Sequence, residues 1–318
     1  VLARAILELY RNARLIIGHS IGNGFYYDLH TDVPVSDTIL GYITEKMKTI
    51  IEKNELFDKK TLTRTEAIAT FKKEGYPEKA RLIQNLNADQ VGVISCWKYL
   101  DIDHGPIVPS TGFLKVWSLK QYASGFVLLF PDQKNPAEPS TIFDQPKIFS
   151  VYRESKEWGK ILEVNNVGRL NACIQNGEIS DFIKVAEALH EKKIGQIADE
   201  ITRRKDVRIV LIAGPSSSGK TTFSKRLCIQ LRVNGLRPTA LSLDNYFVDR
   251  EHTPRDEEGH FDFEDIHALD LELFNHHLSE LLKGREIQVP QFDFATGGRR
   301  PETDALRITE GQIVIIEG

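Results

Sequence analysis

Apolar side chains recur in the first part of the chain at two different spacings. Residues 36–53 carry Ile39, Ile43, Met47 and Ile50 at helical spacing, which predicts an amphipathic helix. Thr63 followed by Glu66 predicts a capping box at the start of another helix. Segments rich in β-branched and aromatic residues predict strands at residues 24–30, residues 90–99 and parts of 114–130. This mixture predicts an α+β domain at the front of the chain.

The pattern changes after residue 130. Residues 131–146 contain four prolines and no periodicity, which predicts a linker or long loop. Residues 180–204 place apolar side chains mostly on one face, which predicts a long helix that leads into a second domain. We therefore expect a front domain over residues 1–145, a linker with a connecting helix over 146–204, and a second domain over 205–318.

The last third alternates between strand and helix. Residues 207–213 form a continuous apolar run, which predicts a parallel strand buried on both faces. After a glycine-rich loop, Phe223, Leu227 and Leu231 predict a helix, and residues 238–243 predict the next buried strand. A strand, loop, helix and strand in this order predict an α/β domain built on a parallel sheet.

Composition narrows the function classes. The 318 residues carry a formal charge of -4, so no overall basic field attracts nucleic acid, and no apolar run approaches the roughly 20 residues of a membrane span. The three cysteines form no CxxC pair, which favours a reducing compartment, and we expect a cytoplasmic protein. Because residue 1 is Val and the only methionine is Met47, we expect the sequence to be a fragment.

A phosphate-binding motif follows the first strand of the second domain. Residues 214–221 read GPSSSGKT and match GxxxxGK[ST], the P-loop. Its glycines let successive N–H groups point at phosphate oxygens, and the following helix N-terminus favours an anion. Lys220 can reach the β- and γ-phosphates, and the Thr221 hydroxyl can bind Mg²⁺. We expect ATP and Mg²⁺ here, with the nucleotide held by Gly214, Ser216, Ser217, Ser218, Gly219, Lys220, Thr221 and Thr222.

Two carboxylates stand where strands of this domain end. Asp244 follows the second strand, where it can face the γ-phosphate and accept a proton from an attacking hydroxyl. A turn-forming Asp-Asn pair is the alternative. Glu317 ends the apolar strand at residues 313–318, the place for a carboxylate that binds Mg²⁺, and a polar strand end is the alternative.

Together these segments resemble the uridine kinase / phosphoribulokinase family of P-loop kinases. The similarity covers about residues 207–318 and rests on the segments GPSSSGKTT, SLDNYF, FDFED, VPQFDF and IVIIEG. The resemblance implies ATP-dependent transfer of the γ-phosphoryl group to a hydroxyl of a small molecule. It makes Asp244 the general base, acting with Lys220, and Glu317 the acid on the metal side.

The resemblance also implies an acceptor site. Glu264 stands where family members carry a ribose-binding aspartate, and four phenylalanines would line the pocket: Phe247, Phe263, Phe292 and Phe294. Core packing is an equally good explanation of each phenylalanine. Residues 284–309 predict a hairpin with Gly297-Gly298 as its turn, where Arg299 and Arg300 would clamp a substrate anion or lie in solvent.

Two positions depart from uridine kinases. Gly297 stands where those enzymes carry a base-reading histidine, and Phe247 replaces the tyrosine that usually ends the SxDxFY segment. Loss of two polar contacts removes much of the specificity for a pyrimidine nucleoside. We therefore leave the acceptor open, as a nucleoside or another hydroxyl compound.

The front part resembles the editing-type second additional domain of threonyl-tRNA synthetase. The matching segments are IGNGFYYDL at residues 21–29, LDIDHGPIVPS at 100–110 and LKQYASG at 119–125. In that family a metal is held by an HxxxH pair, which would lie before Val1, and by a Cys-x₃-His, whose positions here are Asp103 and Ile107. We therefore expect no hydrolytic editing site. The whole sequence is identified as an α/β P-loop kinase domain, truncated, preceded by an α+β domain of this type.

Two other functions compete with the kinase. The P-loop domain could regulate an RNA-related front domain without kinase turnover, although the acidic balance argues against a nucleic-acid partner. Alternatively, the front domain is a structural or dimerising appendage, which the apolar helix at residues 1–10 motivates and which would make the protein a homo-oligomer.

Overall fold

The computed structural model describes residues 1–318, which divide by their internal contacts into two compact units, Val1–Ile183 and Lys184–Gly318. The domain boundaries that we predicted from the sequence, after residue 145 and before residue 205, are a different kind of division and stay a prediction. None of the helices is long and apolar enough to cross a membrane.

The first unit contains six complete helices and seven strands that form two antiparallel sheets. The first sheet has four strands in the order β1-β2-β7-β6, and the second has three in the order β3-β4-β5. In chain order the elements are α1 (Leu2–Leu9), β1 (Arg14–Ser20), β2 (Gly24–His30), α2 (Asp37–Glu52), β3 (Asp58–Thr63), α3 (Arg64–Lys73), α4 (Pro77–Gln84), β4 (Gln90–Cys96), β5 (Tyr99–Ile102), β6 (Ser118–Tyr122), β7 (Gly125–Leu129), α5 (Pro146–Ile161) and α6 (Val167–Gln175).

Helices cover both faces of the four-stranded sheet. α1 and α2 bury Ile6 and Ile43 against Phe126 of β7, while Phe149 of α5 packs on Tyr26 on the opposite face. The apolar side of α1 that motivated a dimerising role is therefore buried inside its own unit. In the smaller sheet, α3 and α4 pack on one face of β4, against Val91 and Val93.

Capping explains where two of these helices begin. The Ser36 hydroxyl accepts a hydrogen bond from the backbone N–H of Ile39 and starts α2. Thr63 and Glu66 form the predicted capping box at the start of α3, with each side chain bonded to the other residue's backbone N–H. In each cap the two bonded residues are three positions apart, so the signal is local in the sequence.

The second unit is built on a parallel sheet with the order β8-β12-β9. An antiparallel hairpin, β10-β11, and one helix lie beside it. After α7 (Ile179–Arg203), which spans the division between the units, the elements are β8 (Ile209–Ile212), α8 (Lys220–Val233), β9 (Pro238–Ser242), α9 (Leu271–Leu282), β10 (Ile287–Asp293), β11 (Gly298–Leu306) and β12 (Ile313–Glu317).

The central strand β12 is buried on both faces. Ile313 and Ile315 pack under α7 and α8, and Val314 and Ile316 pack under α9 and the hairpin. This alternation is the period of two that a strand imposes on its side chains. The resulting three layers fix the carboxyl ends of the parallel strands at one edge.

Two details differ from the sequence prediction. We expected β8 to be buried on both faces, but Leu211 is 72% exposed. β8 is an edge strand, and the layer of α9 and hairpin covers β9 and β12 without reaching Leu211. The hairpin turn is the loop 294–297 rather than Gly297-Gly298, because Asp293 accepts hydrogen bonds from two N–H groups inside that loop.

Candidate active site

The predicted P-loop connects β8 to α8 and is exposed along its length. Ser217 and Gly219 adopt positive φ angles of 60° and 87°, which turn the chain sharply before the helix. Gly219 is the N-cap of α8 and supplies no side-chain cap, so the first N–H groups of the helix are open toward a ligand. A loop of this shape can bind a phosphate through backbone groups.

Lys220 folds back over this loop. Its ammonium donates hydrogen bonds to the carbonyl oxygens of Gly214 (2.8 Å) and Pro215 (3.3 Å). A β-carbon on Gly214 would lie 2.8 Å from the Ser218 hydroxyl, which explains the glycine at that position. The positive charge of Lys220 is therefore held above the loop, where it can bind a phosphate oxygen.

The two residues predicted on the metal side lie in direct contact. The Thr221 hydroxyl donates a hydrogen bond to the Glu317 carboxylate at 3.1 Å, across 96 residues of sequence. Glu317 is buried at the end of β12. A hydroxyl and a carboxylate are the hard oxygen ligands that Mg²⁺ prefers, and Mg²⁺ sites commonly add only water and substrate phosphate to one or two protein groups. The residues present therefore fit this ion.

Asp244 lies in the short 3-10 turn Leu243–Tyr246 that directly follows β9. Although the residue is exposed, partial desolvation by the surrounding protein raises the pKa of its carboxyl. The negative charge of Glu317 raises this pKa further, and the positive charge of Lys220 opposes the rise. A carboxylate with a raised pKa is a better proton acceptor, which is the property a general base needs.

A buried tyrosine fixes the turn that carries Asp244. Tyr246 is fully buried, and its hydroxyl lies 3.1 Å from Nδ1 of His277. Its ring also packs edge-on against Phe274 of α9. His276 is exposed, so the two adjacent histidines occupy different parts of the helix surface.

The four predicted phenylalanines come together in one cluster. The ring centroid of Phe247 lies 6.3 Å from Phe263, 5.6 Å from Phe292 and 5.9 Å from Phe294. Phe263 and Phe294 are 45% and 58% exposed, so the cluster is not sealed within the core. Rings that are paired yet open to solvent can bind the apolar part of a ligand.

The two polar residues predicted for the acceptor differ in their surroundings. Glu264 is exposed, and its backbone N–H bonds to the Asp262 carboxylate. Arg299 is half-buried, and its guanidinium pairs with the Asp270 carboxylate at 3.0 Å. Arg299 thus has a protein partner in place, and its predicted contact with a substrate anion stays a prediction.

Sequence reasoning missed Arg250 and Asp270. Arg250 contacts the hairpin loop, and Asp270 anchors Arg299 at the start of α9. The contacts of these two residues span between 29 and 47 residues of sequence, and no local pattern marks such pairs.

The front unit places the two residues at the Cys-x₃-His positions apart from any metal-binding cluster. The Asp103 carboxylate pairs with the Lys59 ammonium at 2.9 Å and accepts a hydrogen bond from the Gly105 N–H, and these contacts lower its pKa. Ile107 is 44% exposed. Asp103 is thus a partner for Lys59 in a surface ion pair.

Comparison with known families and proteins finds different relatives for the two parts of the chain. Residues 209–318 match the family model described as the Phosphoribulokinase / Uridine kinase family. The N-terminal half is similar to threonine--tRNA ligases. That of Desulfovibrio desulfuricans is 34% identical over 172 residues, which is 53% of this chain and 26% of that protein. That of Janthinobacterium sp. is 40% identical over 127 residues, 40% of this chain and 20% of that protein. The chain thus spans about a quarter of the length of these relatives or less.

Solved structures give a weaker similarity. A possible uridine kinase from Bacillus stearothermophilus is 25% identical with a TM-score of 0.35, covering 40% of this chain and 70% of that one. D-glycerate 3-kinase from Cryptococcus neoformans is 20% identical with a TM-score of 0.30, covering 41% and 51%. The parallel sheet, the P-loop and the family match therefore carry the argument for a kinase-type domain.

Proposed function

We propose that this chain, whose residues 209–318 match the Phosphoribulokinase / Uridine kinase family, is part of a kinase that transfers the γ-phosphoryl group of ATP to a hydroxyl of a small molecule. One observation carries the proposal. Lys220, Thr221 and Glu317 lie at the carboxyl edge of the parallel sheet, where α/β folds of this kind bind their ligands, and Asp244 lies at the same edge in the turn that follows β9.

Each residue has a role that its surroundings support. The N–H groups of the loop and the start of α8 bind phosphate oxygens, and Lys220 neutralises charge on the β- and γ-phosphates. Thr221 and Glu317 hold Mg²⁺, which supplies further neutralisation of phosphate charge. Phosphoryl transfer needs mainly positioning and charge neutralisation, so these groups provide the larger part of the catalysis.

Asp244 acts as the general base. Its raised pKa lets it take the proton of the acceptor hydroxyl as that oxygen bonds to the γ-phosphorus. The bond from the γ-phosphorus to the β–γ bridging oxygen breaks in the same displacement, and ADP leaves. The positive charge of Lys220, which lowers the pKa of Asp244, offsets part of the repulsion between the two carboxylates and the phosphates.

The acceptor binds at the phenylalanine cluster. Phe247 lies three residues after Asp244 in the sequence. An acceptor packed on the phenylalanine rings therefore has its hydroxyl within reach of Asp244, the proposed base. Glu264 is the proposed partner of the acceptor's other hydroxyls. The cluster offers rings and few hydrogen-bonding groups, so it favours a nucleoside or a similarly flat hydroxyl compound without fixing the base.

The test is ATP consumption by the full-length protein with Mg²⁺ against a panel of nucleosides, phosphorylated sugars and other small hydroxyl compounds. We expect turnover with one acceptor class, and a fall of roughly 10²–10⁴-fold in kcat for Asp244→Asn with the affinity for ATP kept. The matched control is Asp206→Asn, an exposed aspartate before β8. Unchanged turnover in Asp244→Asn would contradict the assignment of the base.

A second function is favoured by the similarity to threonine--tRNA ligases over the N-terminal half. In this alternative the P-loop domain binds a nucleotide and regulates an RNA-related front domain, without kinase turnover. ATP binding with no turnover on any acceptor would support it. Gly297 and Phe247 would then mark an activity that has been lost or redirected.

A further inference from the structure

The hairpin that carries Phe292 and Phe294 is tied to the segment after β9 by an arginine. The guanidinium of Arg250 donates a hydrogen bond to the carbonyl oxygen of Phe294 at 2.9 Å. The backbone N–H of the same residue donates to the carbonyl oxygen of Gly297 at 2.8 Å. Arg250 therefore bonds to both ends of the loop that joins β10 to β11.

The absence of a side chain at Gly297 leaves room for the Arg250 guanidinium. Its φ angle is 75°, and a β-carbon there would lie 2.8 Å from Cζ and Nε of Arg250. Any other residue would have to strain its backbone and displace the guanidinium. Arg250 and Gly297 also line one surface cleft of about 430 Å³, together with Phe261 and Thr296.

A second arginine, on the hairpin itself, bonds back to the segment after β9. Arg299, the second residue of β11, donates to the carbonyl oxygens of Phe247 (3.3 Å) and Tyr246 (3.4 Å) and pairs with Asp270. The turn that carries Asp244 and the hairpin that carries two of the pocket phenylalanines are thus joined from both sides. The distance between Asp244, the proposed base, and the phenylalanines of the hairpin depends on these contacts.

We propose that Arg250 is a positioning residue of the acceptor site, which holds the hairpin loop so that Phe292 and Phe294 face Phe247. The role of Arg250 in acceptor binding rests on the proposed kinase function. Its role in holding the hairpin loop rests on the contacts alone. Arg250 acts on the acceptor through the hairpin, since its hydrogen bonds go to Phe294 and Gly297 and none goes to the P-loop.

The chain supplies a matched control. Arg307 directly follows β11 of the hairpin, and its guanidinium donates a hydrogen bond to the carbonyl oxygen of Gly284 at 2.9 Å. Arg307→Ala removes an equal charge beside the far end of that hairpin and breaks no hydrogen bond with the segment after β9. Gly297→Ala is the second variant, because its β-carbon displaces the Arg250 guanidinium while the arginine is kept.

The first measurement is amide hydrogen exchange of the hairpin peptide 291–300 in the full-length protein. We expect exchange about tenfold faster in Arg250→Ala and in Gly297→Ala than in wild type, and unchanged exchange in Arg307→Ala. Peptides from β12 report whether each variant is folded. Equal exchange in Arg250→Ala and wild type, with β12 protected in both, overturns the proposal.

The second measurement is steady-state kinetics on the acceptor found with wild type. Arg250→Ala is expected to raise the acceptor KM about tenfold or more, with the KM for ATP and kcat within about threefold. An unchanged acceptor KM overturns the positioning role. Absence of turnover by wild type on every acceptor overturns the kinase proposal instead, and the exchange experiment then still decides whether Arg250 holds the hairpin.

Discussion

Asp244 has two charged neighbours with opposite effects on its carboxyl. Desolvation and the charge of Glu317 raise its pKa, and Lys220 lowers it, with a net rise. A carboxyl whose pKa is higher in the folded than in the unfolded chain, where it is about 3.9, binds its proton more tightly when folded. Its favourable contribution is therefore complete below the unfolded pKa and is lost as pH rises through the folded pKa.

Asp244→Asn is therefore expected to stabilise the nucleotide-free protein while it removes turnover. At neutral pH the ionised carboxylate is unfavourable in the fold, and asparagine removes the charge. The gain in Tm should be a few degrees at most, because the residue is exposed and solvent screens its charge. Thermal unfolding measured between pH 3.5 and 8 should show this gain shrinking as pH falls. A variant less stable than wild type at pH 7, beside an unaffected Asp206→Asn, would contradict the argument.

At the scale of residues, sequence predicted what lies in a motif. Lys220 and Thr221 were given by the P-loop pattern, and the bond between Thr221 and Glu317 follows from both residues standing at the same edge of a parallel sheet. Arg250 had no such signal, because its partners at residues 294 and 297 are chosen by the way the hairpin packs.

At the scale of elements, two neighbouring strands of similar composition have different surroundings. β12 lies between β8 and β9 with both faces covered, and Ile315 is fully buried. β8 is apolar along its length, yet it is an edge strand with Leu211 72% exposed. Composition predicted the strands, but it could not predict which strand lies in the middle, because β12 pairs with strands far earlier in the chain, with Val314 opposite both Ile209 and Thr239.

The difference predicts unequal costs for two truncations. Ile315→Ala should lower the free energy of unfolding of this unit by about 2–5 kcal/mol, because it leaves a cavity between covered layers. Leu211→Ala, one strand away, should cost about 0.5 kcal/mol or less. Amide exchange of peptides from β9 and β12 is the suitable measurement, since all three tryptophans lie in the first unit and their fluorescence reports on that unit. Equal costs for both variants would mean that Leu211 is covered in solution.

The position of the hairpin turn was predicted wrongly because only the glycines were considered. Two adjacent glycines predicted the turn at residues 297–298, but Asp293 bonds to the N–H of Ala295 through its side chain and to the N–H of Gly297 through its carbonyl. The aspartate closes a four-residue loop, and Gly297 supplies the positive φ at its end. The glycine pair was correct as a location, and the aspartate decided the register.

At the scale of the whole molecule, two units with different relatives share one chain. The second unit contains residues 209–318, which match the Phosphoribulokinase / Uridine kinase family, and the N-terminal half of the chain has the similarity to threonine--tRNA ligases. In the first unit the positions that correspond to a metal-binding pair are Asp103, which is held by Lys59, and the apolar Ile107. Similarity in sequence therefore extends to the fold of this unit more securely than to any chemistry of its relatives.

The choice between the kinase and the RNA-linked alternative can be tested by tRNA binding. With a formal charge of -4 and no overall basic field, we expect the full-length protein to bind tRNA no more tightly than a Kd of about 10 µM at 50 mM salt, and an unrelated RNA of equal length to bind equally weakly. Fluorescence anisotropy with labelled tRNA across a salt series measures this. A Kd of about 1 µM or below that weakens steeply with salt, with the unrelated RNA excluded, would show that several phosphates are contacted by basic side chains. Such a result, combined with ATP binding and no acceptor turnover, would favour the regulatory function, because the front unit would then have a ligand and the P-loop unit no second substrate.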